Sequence, residues 1–138
     1  MPDDPMRDPS TLSFLVVDDI EAMRNLIVRC LSDMGATEIH TAADGESALA
    51  LLATLEPPPD VFMADLRMPG IGGVEMLRQA AENGYAGAVI LVSSVDEETL
   101  VVADGLAQYR DLNIAGRISK PFTVRALRLA LENILSGL

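Results

Sequence analysis

Short runs of apolar residues alternate along this chain with stretches where apolar residues recur every three or four positions. Phe14-Leu15-Val16-Val17 is one such run, and it stops abruptly at Asp18-Asp19. Beyond it Ile20, Met23, Ile27, Cys30 or Leu31, and Met34 return at helical steps, with Glu21, Arg24, Asn25 and Arg29 between them. That pattern predicts a strand, then an amphipathic helix, with Gly35 where a left-handed C-terminal cap belongs. Glu38 to Thr41 reads as a weak second strand. Glu46 to Leu55 reads as a helix with Ala48, Leu49, Leu52 and Leu55 on one face, stopped by Pro57-Pro58-Pro59. Val61 to Ala64 is a third apolar run, closed by Asp65. A loop with Pro69, Gly70, Gly72 and Gly73 leads into a helix carrying Val74, Leu77 and Ala81. Val89 to Val92 is a fourth strand ending at Ser93-Ser94, and Ser94 with Glu97 has capping-box spacing for a helix to about Tyr109. Ile114 to Ser119 is the last strand, and Val124, Leu127, Leu131 and Ile134 mark the last helix.

Five strands alternating with five helices predict an α/β fold, a doubly wound five-stranded parallel sheet with helices on both faces, flavodoxin-like in its winding. The strands are near-continuously apolar rather than alternating, as strands buried on both faces are. In such folds the functional crevice lies at the carboxyl ends of the strands. The 138 residues suit one domain. Residues 1–11, rich in Asp and Pro, are expected to be a disordered lead-in, and residues 12–138 the domain.

Composition narrows the function. Ten Lys and Arg against 21 Asp and Glu give a net charge of −11, which argues against a nucleic-acid or anionic-membrane binder, since both need a positive face. The single cysteine, Cys30, excludes an internal disulfide framework and a cysteine zinc site. No apolar run approaches the roughly 18 residues of a membrane span, and the N-terminus lacks a signal-peptide pattern. Cytoplasmic location is the expectation.

The residues that close the strands carry the chemistry. They are Asp18 and Asp19, then Asp65, then Ser93, then Lys120. In a parallel sheet these ends share one edge, so three carboxylates, a hydroxyl and an ammonium are expected to converge. Three adjacent carboxylates repel one another, and a hard divalent cation such as Mg²⁺ would neutralise them while keeping positions open for a phosphate. Lys120 suits an ion pair with Asp65 or a phosphoryl oxygen, and Ser93 a hydrogen bond to the same oxygen. A carboxylate can itself attack a phosphoryl group and form an acyl phosphate.

Phe14-Leu15-Val16-Val17-Asp18-Asp19, Asp65-Leu66-Arg67-Met68-Pro69-Gly70, Val92-Ser93-Ser94 and Lys120-Pro121-Phe122 together resemble the receiver domain of two-component response regulators, from about Ser13 to Ser136. The resemblance implies that Asp65 accepts a phosphoryl group from a sensor histidine kinase or a histidine phosphotransfer protein. It implies that Asp19 binds Mg²⁺ directly and Asp18 through water, with the Arg67 backbone carbonyl completing the set. Ser93 matches the switch hydroxyl, Lys120 its lysine partner, and the Lys120-Pro121 bond is expected to be cis. The resemblance also places the readout, and a homodimer, on the surface of the fourth helix, fifth strand and fifth helix, where Arg117, Arg125 and Arg128 can supply ion pairs. Arg67 and Val95, two residues past the acceptor and the switch serine, are expected to flank the attacking water and set the lifetime of the phosphorylated form.

One position departs from the family. An aromatic switch residue is usual three places before the lysine, and here Arg117 stands there. That departure supports a second reading, a receiver-like interaction module that is not regulated by phosphorylation. Ser93 to Glu97 and Ala103 to Phe122 resemble receivers that precede EAL-type cyclic-di-GMP phosphodiesterase domains, so the chain is expected to be either a stand-alone receiver or a piece cut from before such an output domain. A flavin or nucleotide carrier would need a Gly- or Ser/Thr-rich loop where Asp18-Asp19 stands. Gly70 to Gly73 lacks the nucleotide fingerprints and reads as turn chemistry. Taken alone, Asp18-Asp19 would read as a helix N-cap pair. Cys30 reads as a core thiol and His40 as a surface or strand-end residue rather than a catalytic one.

Overall fold

The computed structural model describes residues 8–68, 70–94 and 112–138. Five parallel strands form one sheet: β1 (Ser13–Val17), β2 (Glu38–Ala42), β3 (Val61–Asp65), β4 (Ala88–Ser93) and β5 (Asn113–Ser119). Their order across the sheet is β2-β1-β3-β4-β5, the doubly wound arrangement that the alternation predicts. Helices α1 (Glu21–Asp33), α2 (Gly45–Thr54), α3 (Gly72–Glu82) and a C-terminal helix (Val124–Ser136) complete the described elements. The helix expected from Ser94 to Tyr109 lies, after Ser94, outside the described residues. Among them no helix is long and apolar enough to cross a membrane.

Alternate side chains of each central strand feed two cores. Phe14, Val16, Val61, Met63, Ile90 and Val92 meet Ile27, Cys30 and Leu31 of α1 and Leu127, Leu131 and Leu135 of the C-terminal helix. Leu15, Val17, Phe62, Ala64, Val89 and Leu91 meet Ala48 of α2 and Met76, Leu77 and Ala80 of α3. β3 is buried at all five positions, which explains its unbroken apolar spelling. Cys30 is buried within the first core, and burial pushes its thiol pKa up, as an inert core cysteine requires.

Three details depart from expectation. Order begins before residue 12: the Asp8 carboxylate caps a 3-10 turn over Pro9–Thr11 by accepting the Ser10 amide at 2.9 Å, and Pro9 is buried. A capping aspartate followed by proline at the first turn position sets this geometry locally. Second, three helices bury the expected apolar faces except for one residue at the start of each. Ile20, Val74 and Val124, each in the first turn or just before it, are exposed. Third, Gly72 and Gly73 both belong to the first turn of α3 rather than to the preceding loop. Gly35 and Gly70 adopt positive φ of 104° and 81°, as a cap and a turn demand.

Candidate functional site

Each strand delivers its closing residue to the same edge. Asp18 follows β1 and is fully buried, Asp65 closes β3 at 1% exposure, Ser93 closes β4 fully buried, and Lys120 follows β5. Asp18, Asp19 and Asp65 each offer a carboxylate oxygen within 4.8 Å of the others. Lys120 Nζ lies 3.2 Å from Asp18 Oδ2 and 3.4 Å from Asp65 Oδ2, so one ammonium spans two carboxylates. It is the only lysine of the 138 residues. Its backbone amide donates to the Ser93 carbonyl at 2.8 Å, and its bond to Pro121 is cis. Among the described residues, the buried Ser93 hydroxyl has no hydrogen-bond partner.

Burial dominates the electrostatics of Asp65 and pushes its pKa from 3.8 to about 6. The Arg67 amide, which donates to Asp65 Oδ1 at 3.0 Å, and the Lys120 ammonium pull it down, and the Asp18 charge pushes it up. A carboxylate so held favours a cation. Three clustered carboxylates are hard oxygen donors, and an unpartnered buried hydroxyl beside them is free to bind a further oxygen. The donor set therefore fits a divalent metal and an attached phosphoryl group. The flanking cleft, about 790 Å³, is lined by Asp19, Ile20, Met23, Asp65, Arg67, Met68, Ser94, Lys120 and Pro121.

Local backbone features hold the acceptor in place. Asp65 ends a strand, and α3 presses against the residue that follows it. A Cβ on Gly73 would come within 2.6 Å of the Asp65 carbonyl oxygen, so only glycine lets the helix seat there. Asp18 and Asp19 do not cap α1. Its N-cap is Ile20, without a side-chain capping bond, and Asp18 Oδ1 instead accepts the Ile20 amide at 2.9 Å.

The expected residues Asp18, Asp19, Asp65, Ser93 and Lys120 are thus brought together, and Arg67 is exposed on the cleft wall. Arg117 is also exposed, paired in register with Leu91 two places before the Ser93–Ser119 pair. Val95 lies outside the described residues. Sequence reasoning missed Arg24, whose guanidinium donates to the Asp18 carbonyl at 2.8 Å. Nothing in its amphipathic-helix context distinguishes it from Arg29. His40 lies half-buried on the edge strand β2, 3.3 Å from Glu38, away from the site.

The model of the response regulator receiver domain family matches residues 14–132. The chemotaxis protein CheY of Pseudomonas aeruginosa is 29% identical over 124 residues, which cover 89% of this chain and 95% of that protein. The cyclic di-GMP phosphodiesterase RocR of the same organism is 32% identical over 120 residues, 87% of this chain but 30% of RocR. Among solved structures, the receiver domain of NtrX from Brucella abortus superimposes with a TM-score of 0.72 at 27% identity, covering 91% of this chain and all of that domain.

Proposed function

The chain belongs to the response regulator receiver family, whose members are phosphoacceptor signalling switches, and on that premise we propose that Asp65 is the acceptor. The observation that carries the assignment is the 4.8 Å cluster of Asp18, Asp19 and Asp65, spanned by Lys120 and flanked by the free Ser93 hydroxyl. The donor is a phosphohistidine on a kinase or phosphotransfer protein. An Asp65 carboxylate oxygen attacks phosphorus, the phosphorus–nitrogen bond breaks, and imidazole leaves. Asp18, Asp19, Asp65 and the Arg67 carbonyl would hold Mg²⁺, which would offset the negative charge of the entering phosphoryl group. The loose transition state asks mainly for positioning and charge stabilisation. The Arg67 amide orients the acceptor from one side. Lys120, released from one of its two carboxylates, turns its ammonium to a phosphoryl oxygen, and Ser93 donates its unused proton to another.

Arg67, exposed on the cleft wall, together with Val95, sets how readily water reaches the acyl phosphate. Arg67→Ala is expected to change the rate of dephosphorylation. The readout surface includes β5 and the C-terminal helix, where exposed Arg117, Arg125 and Arg128 offer charge for pairing with a second copy. The likeness to RocR supports a pathway whose output is cyclic-di-GMP hydrolysis.

The test is intact mass after incubation with an acyl phosphate donor and Mg²⁺. A gain of one phosphoryl group, lost with a chelator and in Asp65→Asn, is the expected result. No gain from that donor or from a phosphohistidine protein would favour the phosphate-independent module suggested by Arg117.

A further inference from the structure

Every polar atom of Asp18 is engaged. Its amide donates to the Ala42 carbonyl at 3.2 Å, Oδ1 accepts the Ile20 amide at 2.9 Å, and Oδ2 accepts Lys120 Nζ at 3.2 Å. Its carbonyl accepts Arg24 Nη1 at 2.8 Å. Arg24 holds both ends of the β1–α1 connection, because its own amide donates to the Ile20 carbonyl at 2.9 Å and closes the first helical turn. Its half-buried side chain then reaches back across the turn to the strand. The carbonyl it grips lies in the peptide plane joining Asp18 to Asp19. Since that plane is rigid, fixing its oxygen fixes where the Asp19 Cα sits, the point from which the Asp19 carboxylate reaches out. Among described residues Asp19 itself is exposed and has no hydrogen bond or ion pair, so its placement depends on its backbone.

We propose that Arg24 is a positioning residue for the cation site: its guanidinium fixes the Asp18–Asp19 peptide plane and so holds the two carboxylates at the spacing a divalent ion requires. The inference rests on the reading of Asp18, Asp19 and Asp65 as metal ligands. Its sign is opposite to simple electrostatics. A guanidinium beside a cation site repels the ion, so deleting a residue that acted only through its charge would tighten binding. Deleting a residue that holds ligands in place would weaken it.

Mg²⁺ titrated calorimetrically into the unphosphorylated wild-type chain, Arg24→Met and Arg24→Lys separates these. Arg24→Met is expected to bind between about 10- and 100-fold more weakly, as losses of a ligand's outer partner do. The deficit is expected to persist at high salt, where a charge effect would be screened. Arg24→Lys keeps the charge and changes the donor geometry, so a several-fold loss is expected. Affinity equal to or tighter than wild type in Arg24→Met overturns the proposal. So does a variant whose metal-free unfolding midpoint falls while its Mg²⁺ affinity stays. If Arg24→Met does not fold, unchanged affinity in Arg24→Lys overturns it. Absence of binding by the wild type would remove the metal reading and this inference with it. Binding that Asp19→Asn weakens and the Arg24 variants leave intact would remove this inference alone.

Discussion

Two aspartates bracket strand β3 and lead opposite lives. Asp60, just before the strand, is exposed and ties β3 to β1. Its Oδ2 accepts both the amide and hydroxyl of Ser13, at 2.9 and 3.2 Å, and its own amide accepts nothing but donates back to Ser13 Oγ at 3.0 Å. Asp65, at the other end, is buried, crowded by Asp18, and shares one ammonium. The rest of the Asp60 end is equally settled: Tyr85 Oη donates to the Pro59 carbonyl at 2.8 Å, and the Tyr85 ring stands edge-on to Phe62. One edge of the sheet spends its polar groups on stitching strands together. The other keeps them in conflict, with the buried Ser93 hydroxyl unpaired. A sheet that is stable at one end can hold chemistry in reserve at the other.

The contrast can be broken most severely at the acceptor. Asp65→Asn is expected to abolish phosphoryl gain by intact mass, whereas Asp60→Asn is expected to leave it unchanged. Next in size is Gly73→Ala, whose new methyl would push into the Asp65–Leu66 backbone. A loss of about 2 kcal/mol in urea unfolding is expected, with slower phosphorylation. Equal stability would show that α3 can shift away without cost.

A smaller effect has the opposite sign. Because the pKa of Asp65 is raised to about 6, the folded chain binds that proton more tightly than the unfolded chain does. The contribution of Asp65 to the stability of the metal-free protein is therefore lost as pH rises from about 4 through 6. Asp65→Asn is expected to gain about 1–2 kcal/mol at pH 7 in the presence of chelator, and the gain is expected to vanish by pH 4. A destabilised Asn variant at pH 7 would mean that its link to Lys120 outweighs the burial of charge. Smallest is Asp60→Ala, expected to cost about 1 kcal/mol for its lost hydrogen bonds at an exposed position, at every pH above the carboxylate range.

The reserved edge was far more legible in the sequence than the stitched one. Asp18, Asp65 and Ser93 terminate unbroken apolar runs, so hydrophobic periodicity alone placed them at strand ends, and parallel winding put those ends together. Asp60 and Ser13 are 47 positions apart and neither interrupts a pattern. Their bond exists because β1 and β3 are neighbours in register. Arg24 and the Asp18 carbonyl were hidden for another reason, since a backbone oxygen leaves no mark on the residue type that binds it. The helix pattern over-reached at Ile20, Val74 and Val124, each at the very start of its helix, where apolar periodicity continues onto an exposed residue. Asp8 and Pro9 carried a local capping signal that the acidic, proline-rich composition around them masked.

That Lys120 is the only lysine, and leans on two site carboxylates, gives the molecule a built-in chemical reporter. An amine-directed label has one side chain to find here, about one-fifth exposed and lying in the cleft wall. How fast it is acylated would read out occupancy of the phosphoryl pocket with no dye, tag or partner protein added, and the mass of a single peptide would record the answer.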